Sequence, residues 1–203
     1  MQNHELQTAT DHLVKQDKVL STIIKNIGII NLTPHAQYFN PLLRAIIGQQ
    51  LSVQAASSIH KRFMKHFNNK PHPELILSTE DLTLRSLGLS NAKVKYVKDF
   101  SQKILSKEIR LEGVSKKSDE EIIEELTMVK GIGVWTVHMF LIFTLGRPNV
   151  LPFSDLGIRK AIMLNYGLRK LPDEKKVVRI AKKNNWHPHC SVASLYLWRS
   201  LEF

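Results

Sequence analysis

The chain has 203 residues, which suits one or two small domains with a sizeable core. Lys and Arg total 29 against 18 Asp and Glu, a formal charge of +11, yet 43% of the residues are hydrophobic, too many for a disordered polycation. The single cysteine, Cys190, excludes an internal disulfide framework, an all-cysteine zinc site and an iron–sulfur cluster held by this chain.

One cysteine also predicts a reduced, intracellular setting. The longest apolar stretch, Met139 to Leu145, is interrupted by Thr144 and falls far short of the ~20 residues of a membrane span. The polar N-terminus lacks the apolar core of a signal peptide. The positive charge points to a polyanionic partner, with nucleic acid first. A basic ribosome-associated protein, or one with a well-solvated surface, has the same balance.

In chain order the pattern is helix after helix. Asn40-Pro41 predicts a helix start, Asn as cap and Pro in the first turn. Leu42, Leu43, Ile46, Ile47, Leu51, Val53, Ala55, Ala56, Ile59 and Phe63 follow at helical spacing, broken at Gly48-Gln49-Gln50, where two helices are expected to meet. Thr79 is expected to open a short element through Leu82, Leu84 and Leu87 to Gly88, and Ser90 to cap a helix from Asn91 to about Leu105. Ser118 to Glu121 reads as a capping box before Ile122, Ile123, Leu126 and Val129. Further helices are expected from Pro172-Asp173-Glu174 and from about Ser191 to Leu201, and Phe153 to Ile158 reads as a loop entering a helix. Alternating strand patterns are scarce, so the expected fold is all-α.

The most informative stretch, Leu126 to Leu145, turns at Gly131-Ile132-Gly133 between a capped helix and a strongly apolar one. Two glycines around one aliphatic residue allow a tight turn that Ile132 plugs into the core. Freed amides at the start of the second helix can then receive a phosphate oxygen, and the turn's carbonyls could hold a monovalent cation. An ordinary helix–helix turn has the same Gly-x-Gly signature.

Some twenty residues further on, Ser154 and Asp155 sit where a helix begins, beside apolar Leu151, Phe153 and Leu156. A carboxylate there can simply complement the helix dipole. In a dry site it can also stabilise the oxocarbenium-like cation of a sugar losing its C1′ substituent, or orient and deprotonate an attacking water. A DNA-binding hairpin followed by one such aspartate is what cleavage of an N-glycosidic bond needs.

These residues resemble the helix-hairpin-helix DNA glycosylase superfamily, and within it the alkylation-repair branch, DNA-3-methyladenine glycosylase II. The resemblance rests on Ile46–Ala56, Leu87–Val97, Val129–Lys160 and Trp186–Leu201, and spans about residue 40 to the C-terminus. It implies a two-lobed helical fold in the compact form without an N-terminal β domain. Residues 30–147 would form a central domain with the hairpin, and 1–29 with 148–203 a second lobe. Between them would lie a substrate cleft with Asp155 at its edge.

By the resemblance, Asp155 matches the catalytic aspartate. Bifunctional relatives carry a lysine nucleophile two residues after the second hairpin glycine; here Trp135 stands there, which implies base release without strand cleavage through a Schiff base. Trp135 would line the base pocket or simply pack in the core. Met139 stands where some members carry Tyr, and His189 and Cys190 replace the usual aromatic and Arg, so Met139 and His189 are the remaining pocket candidates. Gln50 would be the wedge filling the gap left by the flipped nucleotide, with Gln49 beside it, although a solvated Gln pair at a helix break is the plainer reading. Carbonyls of Thr127, Val129 and Ile132 match those that hold Na+ or K+ in relatives, and amides of Gly131, Gly133 and Val134 would face phosphate. Lys130 replaces the usual Pro and adds charge near DNA.

The reading is therefore a monomeric enzyme acting on duplex DNA with a damaged base, needing no cofactor beyond that structural cation, and no membrane. It would release 3-methyladenine or 7-methylguanine by base flipping, in the bacterial cytoplasm or the eukaryotic nucleus. A charged alkylpurine leaves as a neutral molecule, so one carboxylate and an aromatic pocket suffice. Two other readings stand beside it. One is excision of uracil, mismatched thymine or hypoxanthine; the other is a non-catalytic backbone-binding hairpin module. His187, His189 and Cys190 lack the paired spacing of a zinc site.

Overall fold

The computed structural model describes residues 3–34 and 37–202. Every regular element among them is helical, as the pattern predicts. The chain divides into two compact units, Met1–His35 with Leu141–Phe203, and Ala36–Phe140.

In the second unit the helices are α3 (Phe39–Gly48), α4 (Val53–His66), α5 (Pro73–Ser78), α6 (Asp81–Ser86), α7 (Asn91–Leu105), α8 (Asp119–Thr127) and α9 (Val134–Met139), with a short 3₁₀ turn at Val114–Lys116. α7 is the central strut, packed against α3, α5 and α6. Its apolar positions recur at helical spacing, so Val94, Val97 and Phe100 share one face and are buried with Leu42, Ile46, Phe63, Ile76 and Leu84. Burying each such side chain contributes about 1.5–3 kcal/mol, which outweighs the weak intrinsic preference of a single short helix.

Local capping explains several boundaries. Ser90 Oγ accepts the Lys93 amide, and Ser118 and Glu121 form the reciprocal capping box. Two expected starts move. Asn40 does not cap α3: Tyr38 occupies the cap position with no side-chain bond, because Phe39 stacks on Phe100 at 5.2 Å and draws the start upstream. Thr79 closes α5 rather than opening α6, since its hydroxyl donates to the Leu75 carbonyl and Glu80 becomes the next cap.

The other unit contains α1 (Asn3–Gln16), α2 (Lys18–Ile27), α10 (Leu156–Asn165), α11 (Glu174–Lys183) and α12 (Cys190–Arg199). Leu6, Leu13, Leu20, Ile158, Ile162, Trp186 and Tyr196 lie in its core. A buried carboxylate organises it. Asp17 caps α2 by accepting the Val19 and Leu20 amides on Oδ1, while Oδ2 accepts Trp186 Nε1 at 2.7 Å and the Tyr166 hydroxyl at 2.5 Å. Burial and the Asp17 carboxylate hold the Tyr166 hydroxyl firmly protonated. One acid thus joins three distant stretches of chain, and four donors satisfy a charge that burial would otherwise make costly.

Candidate active site

The hairpin forms as the glycines require. α8 ends at Thr127, the chain turns through Met128–Gly133, and α9 begins at Val134 with Gly133 as its cap. Ile132 and Val129 are buried and anchor the turn, and the Ile132 amide donates to the Val129 carbonyl at 3.0 Å. Gly131 has a φ of +86°, and a Cβ there would lie 2.3 Å from the Tyr96 ring, so glycine is required on both counts. Asp99 on α7 accepts the Lys130 amide at 2.8 Å, with the Lys130 ammonium nearby at 3.8 Å. Lys130, Gly131, Gly133 and Val134 are all exposed, and Gly133 brings no side chain to cap the first amides of α9. This leaves an open, positively flanked backbone turn suited to a phosphate.

Gln49 and Gln50 follow α3 directly. Gln50 is exposed and adopts a left-handed φ of 56°, uncommon outside glycine. Gln49 reaches the hairpin: its Nε2 donates to the Gly131 carbonyl at 2.5 Å. The two predicted DNA-contacting elements are therefore in direct contact.

Asp155 caps α10. Its Oδ1 accepts the Ile158 amide at 2.8 Å and Trp198 Nε1 at 2.8 Å, and the residue is only 9% exposed. Phe143, in the π-helical turn Phe140–Thr144 that follows α9, stacks on Trp198 with ring centroids 5.6 Å apart and an interplanar angle of 28°. Phe143 is itself 41% exposed, and the Trp198 ring links it to the buried carboxylate. Gly157 permits this arrangement: a Cβ there would lie 3.0 Å from Asp155 Oδ1 and 3.0 Å from Trp198 Cδ1.

Among the pocket candidates, Trp135 is half-exposed on α9 and Met139 partly buried at its end. His189 stands at the head of α12, its ring edge-on to His12 at 5.0 Å. Trp198 lies nine residues along that helix, about 13 Å by helical rise, and it is Trp198 that meets Asp155. Burial, with His12 and His187, holds the His189 imidazole below its ordinary range. Burial pushes the Cys190 thiol up to about 11, which leaves it unreactive. Among the described residues no group of three or more His, Cys, Asp or Glu is arranged to hold a metal, and no helix is long and apolar enough to cross a membrane.

Residues 43–186 match the HhH-GPD superfamily of base excision DNA repair proteins. The chain belongs to that superfamily. It is 34% identical over 203 residues to DNA-3-methyladenine glycosylase 1 of Schizosaccharomyces pombe, covering 96% of this chain and 87% of that one. The structure of the S. pombe 3-methyladenine DNA glycosylase Mag1 in complex with abasic DNA superposes with a TM-score of 0.87 at 33% identity over 97% of both chains. A Bacillus halodurans DNA-3-methyladenine glycosidase gives a TM-score of 0.83 at 33% identity, over 95% of this chain and 88% of that one.

Within this HhH-GPD chain the sequence reading missed Phe143, Trp198 and Gly157. Gly157 carried the available signal. A glycine in the first turn of a helix, two residues after a candidate acid, marks a close approach by some other group. Which group approaches is a tertiary fact.

Proposed function

We propose that this chain is a monofunctional DNA glycosylase that removes alkylated purines of the 3-methyladenine and 7-methylguanine type and leaves an abasic site. The observation that carries the reading is Asp155, a buried carboxylate fixed by two N–H donors, one of them the Trp198 indole that stacks on the partly exposed Phe143. The names of the relatives, 3-methyladenine glycosylases from fungi and bacteria, support the substrate class.

The mechanism follows from charge. An alkylated purine bearing a positive charge departs as a neutral base, so its leaving needs little proton donation. Positive charge then develops on the sugar ring. Asp155 stabilises that cation and orients or deprotonates the water that attacks C1′. The carboxylate needs no reorganisation at that moment, because Ile158 and Trp198 already hold it. An electron-rich aromatic surface favours a cationic base, a role open to Phe143 and Trp198. Trp135, where bifunctional relatives carry a lysine, offers no amine for a Schiff base, so no strand cleavage is expected.

DNA binding falls to the hairpin. The amides of Gly131, Gly133 and Val134 would face a backbone phosphate, and Lys130 adds charge. The carbonyls of Thr127, Val129 and Ile132 would hold a monovalent cation; the Val129 oxygen already accepts the Ile132 amide and keeps a second lone pair for it. Such an ion would add positive charge beside the phosphate. Gln50 is the wedge that fills the gap left by the flipped nucleotide. One damaged base needs only one site, which a single chain supplies, wherever the cell keeps its DNA.

The test is base release from methylated duplex DNA, with the liberated purines identified. The proposal expects methylated purines and an intact, alkali-labile strand. Asp155→Asn should bind the same duplex yet release base at least ~100-fold more slowly, about 2.7 kcal/mol of barrier. Near-normal turnover in that variant would discard the assignment.

A further inference from the structure

We propose that Gln49 is a positioning residue that latches the wedge to the phosphate-binding hairpin, so that gripping the backbone and inserting Gln50 occur in one fixed register. This rests on the reading of Gln50 as the wedge.

The geometry begins with one peptide group. The carbonyl of the Gly131–Ile132 peptide accepts Gln49 Nε2 at 2.5 Å, and the amide of the same peptide donates to the Val129 carbonyl at 3.0 Å. Only the NH2 end of the Gln49 amide can face a carbonyl, so its orientation is settled by chemistry. Gln49 therefore holds the plane of the peptide that closes the hairpin turn.

α7 fixes the other sides of the same assembly. Lys93, itself buried, donates its ammonium to the Ile47 carbonyl at 2.7 Å, two residues before Gln49, at the end of α3. Three residues further along α7 the Tyr96 ring fills the space where Gly131 lacks a Cβ, and Asp99 accepts the Lys130 amide. Wedge loop and hairpin thus share one frame, and Gln49 is the direct bond between them. Gln50 comes immediately after it, already in a left-handed conformation with its side chain exposed. A backbone held in that sparsely populated region persists when its surroundings over-determine it. The Gln49 bond on one side and the Leu51 amide donating to the Gly48 carbonyl at 3.3 Å on the other do so.

The experiment compares Gln49→Met, Gln50→Ala and the double variant in single-turnover base release. Methionine keeps the length and loses the donor. Two duplexes are used, with 7-methylguanine opposite cytosine or opposite an abasic site, where no pairing opposes flipping. Gln50→Ala should slow the paired substrate strongly and the unpaired one little. Gln49→Met should slow the paired substrate roughly fivefold, the loss of one ordinary hydrogen bond, and leave the unpaired rate within twofold. The double variant should be no slower than Gln50→Ala alone, because Gln49 acts through Gln50. If Gln50→Ala impairs the paired substrate while Gln49→Met is silent, slows both duplexes equally or adds independently to Gln50→Ala, the latch is overturned and the wedge stands. If Gln50→Ala is silent on both duplexes, wedge and latch fall together.

Discussion

Trp198 donates its indole N–H to Asp155 Oδ1 at 2.8 Å, and the same ring stacks on Phe143. One side chain therefore orients the proposed catalytic carboxylate and builds the aromatic surface next to it. Trp198→Phe keeps the stacking surface and removes the donor. Base release is expected to fall at least about tenfold, near 1.4 kcal/mol, the low end for a hydrogen bond to a charged group. Binding of undamaged duplex should stay within twofold, as an equilibrium titration would show.

Gly157→Ala tests the same contact from the backbone side. The added methyl would lie 3.0 Å from both Asp155 Oδ1 and Trp198 Cδ1, tighter than ordinary packing. Since the cap and the indole must both yield, stability should fall by about 1–2 kcal/mol. Turnover should fall further than stability accounts for, which single-turnover rates measured well below the thermal midpoint would reveal.

Gly131→Ala strikes the hairpin and, through the Gly131 carbonyl, the Gln49 bond to it. A φ of +86° and a Tyr96 ring 2.3 Å from the new Cβ leave no relaxed position for it. DNA affinity should weaken at least ~10-fold through loss of the aligned amides. The release rate at saturating enzyme should change less. An unaltered dissociation constant would remove the hairpin from the binding account.

Asp17→Ala should be the most destabilising of these substitutions. It strands the Trp186 indole, the Tyr166 hydroxyl and two amides, groups that are now satisfied. A cost of about 3 kcal/mol is expected, or about 6–12 °C in thermal midpoint for a chain of this size. Calorimetry of the purified variant decides it.

Acid should destabilise the fold through its histidines. Burial lowers the pKa of His138 on α9, of His60 on α4 and of His189, with Arg44 adding to His60 and His12 and His187 to His189. A histidine whose folded pKa is lowered takes up its proton more readily when unfolded. Its contribution to stability is complete above the ordinary value of 6.5 and is lost as pH falls from there through the lowered folded value. Thermal midpoints should drop between about pH 7.5 and 5, and His189→Asn should flatten part of that slope.

What could be read from the chain is what short stretches settle among themselves. Ser90, the Ser118–Glu121 box and the Asp155 cap each bond to an amide three residues on, and all three are where the pattern puts them. The buried Ile132 between two glycines is equally local. Asn40 and Thr79 carry the same cues, yet neither caps the helix that the pattern expects of it. At Asn40 a ring stack from Phe100 competes with the local capping preference, and at Thr79 the hydroxyl bonds backward to Leu75 rather than forward.

The sequence alone determined the helical class, the hairpin and the carboxylate at the mouth of a helix, because helical period, caps and glycine turns act within a few residues. Only the tertiary structure decided what meets them: Trp198 on Asp155, Gln49 on Gly131, and Trp186 with Tyr166 on Asp17. Those bonds join residues from 43 to 169 positions apart, and no local periodicity encodes which donor a folded core will bring to a given acceptor.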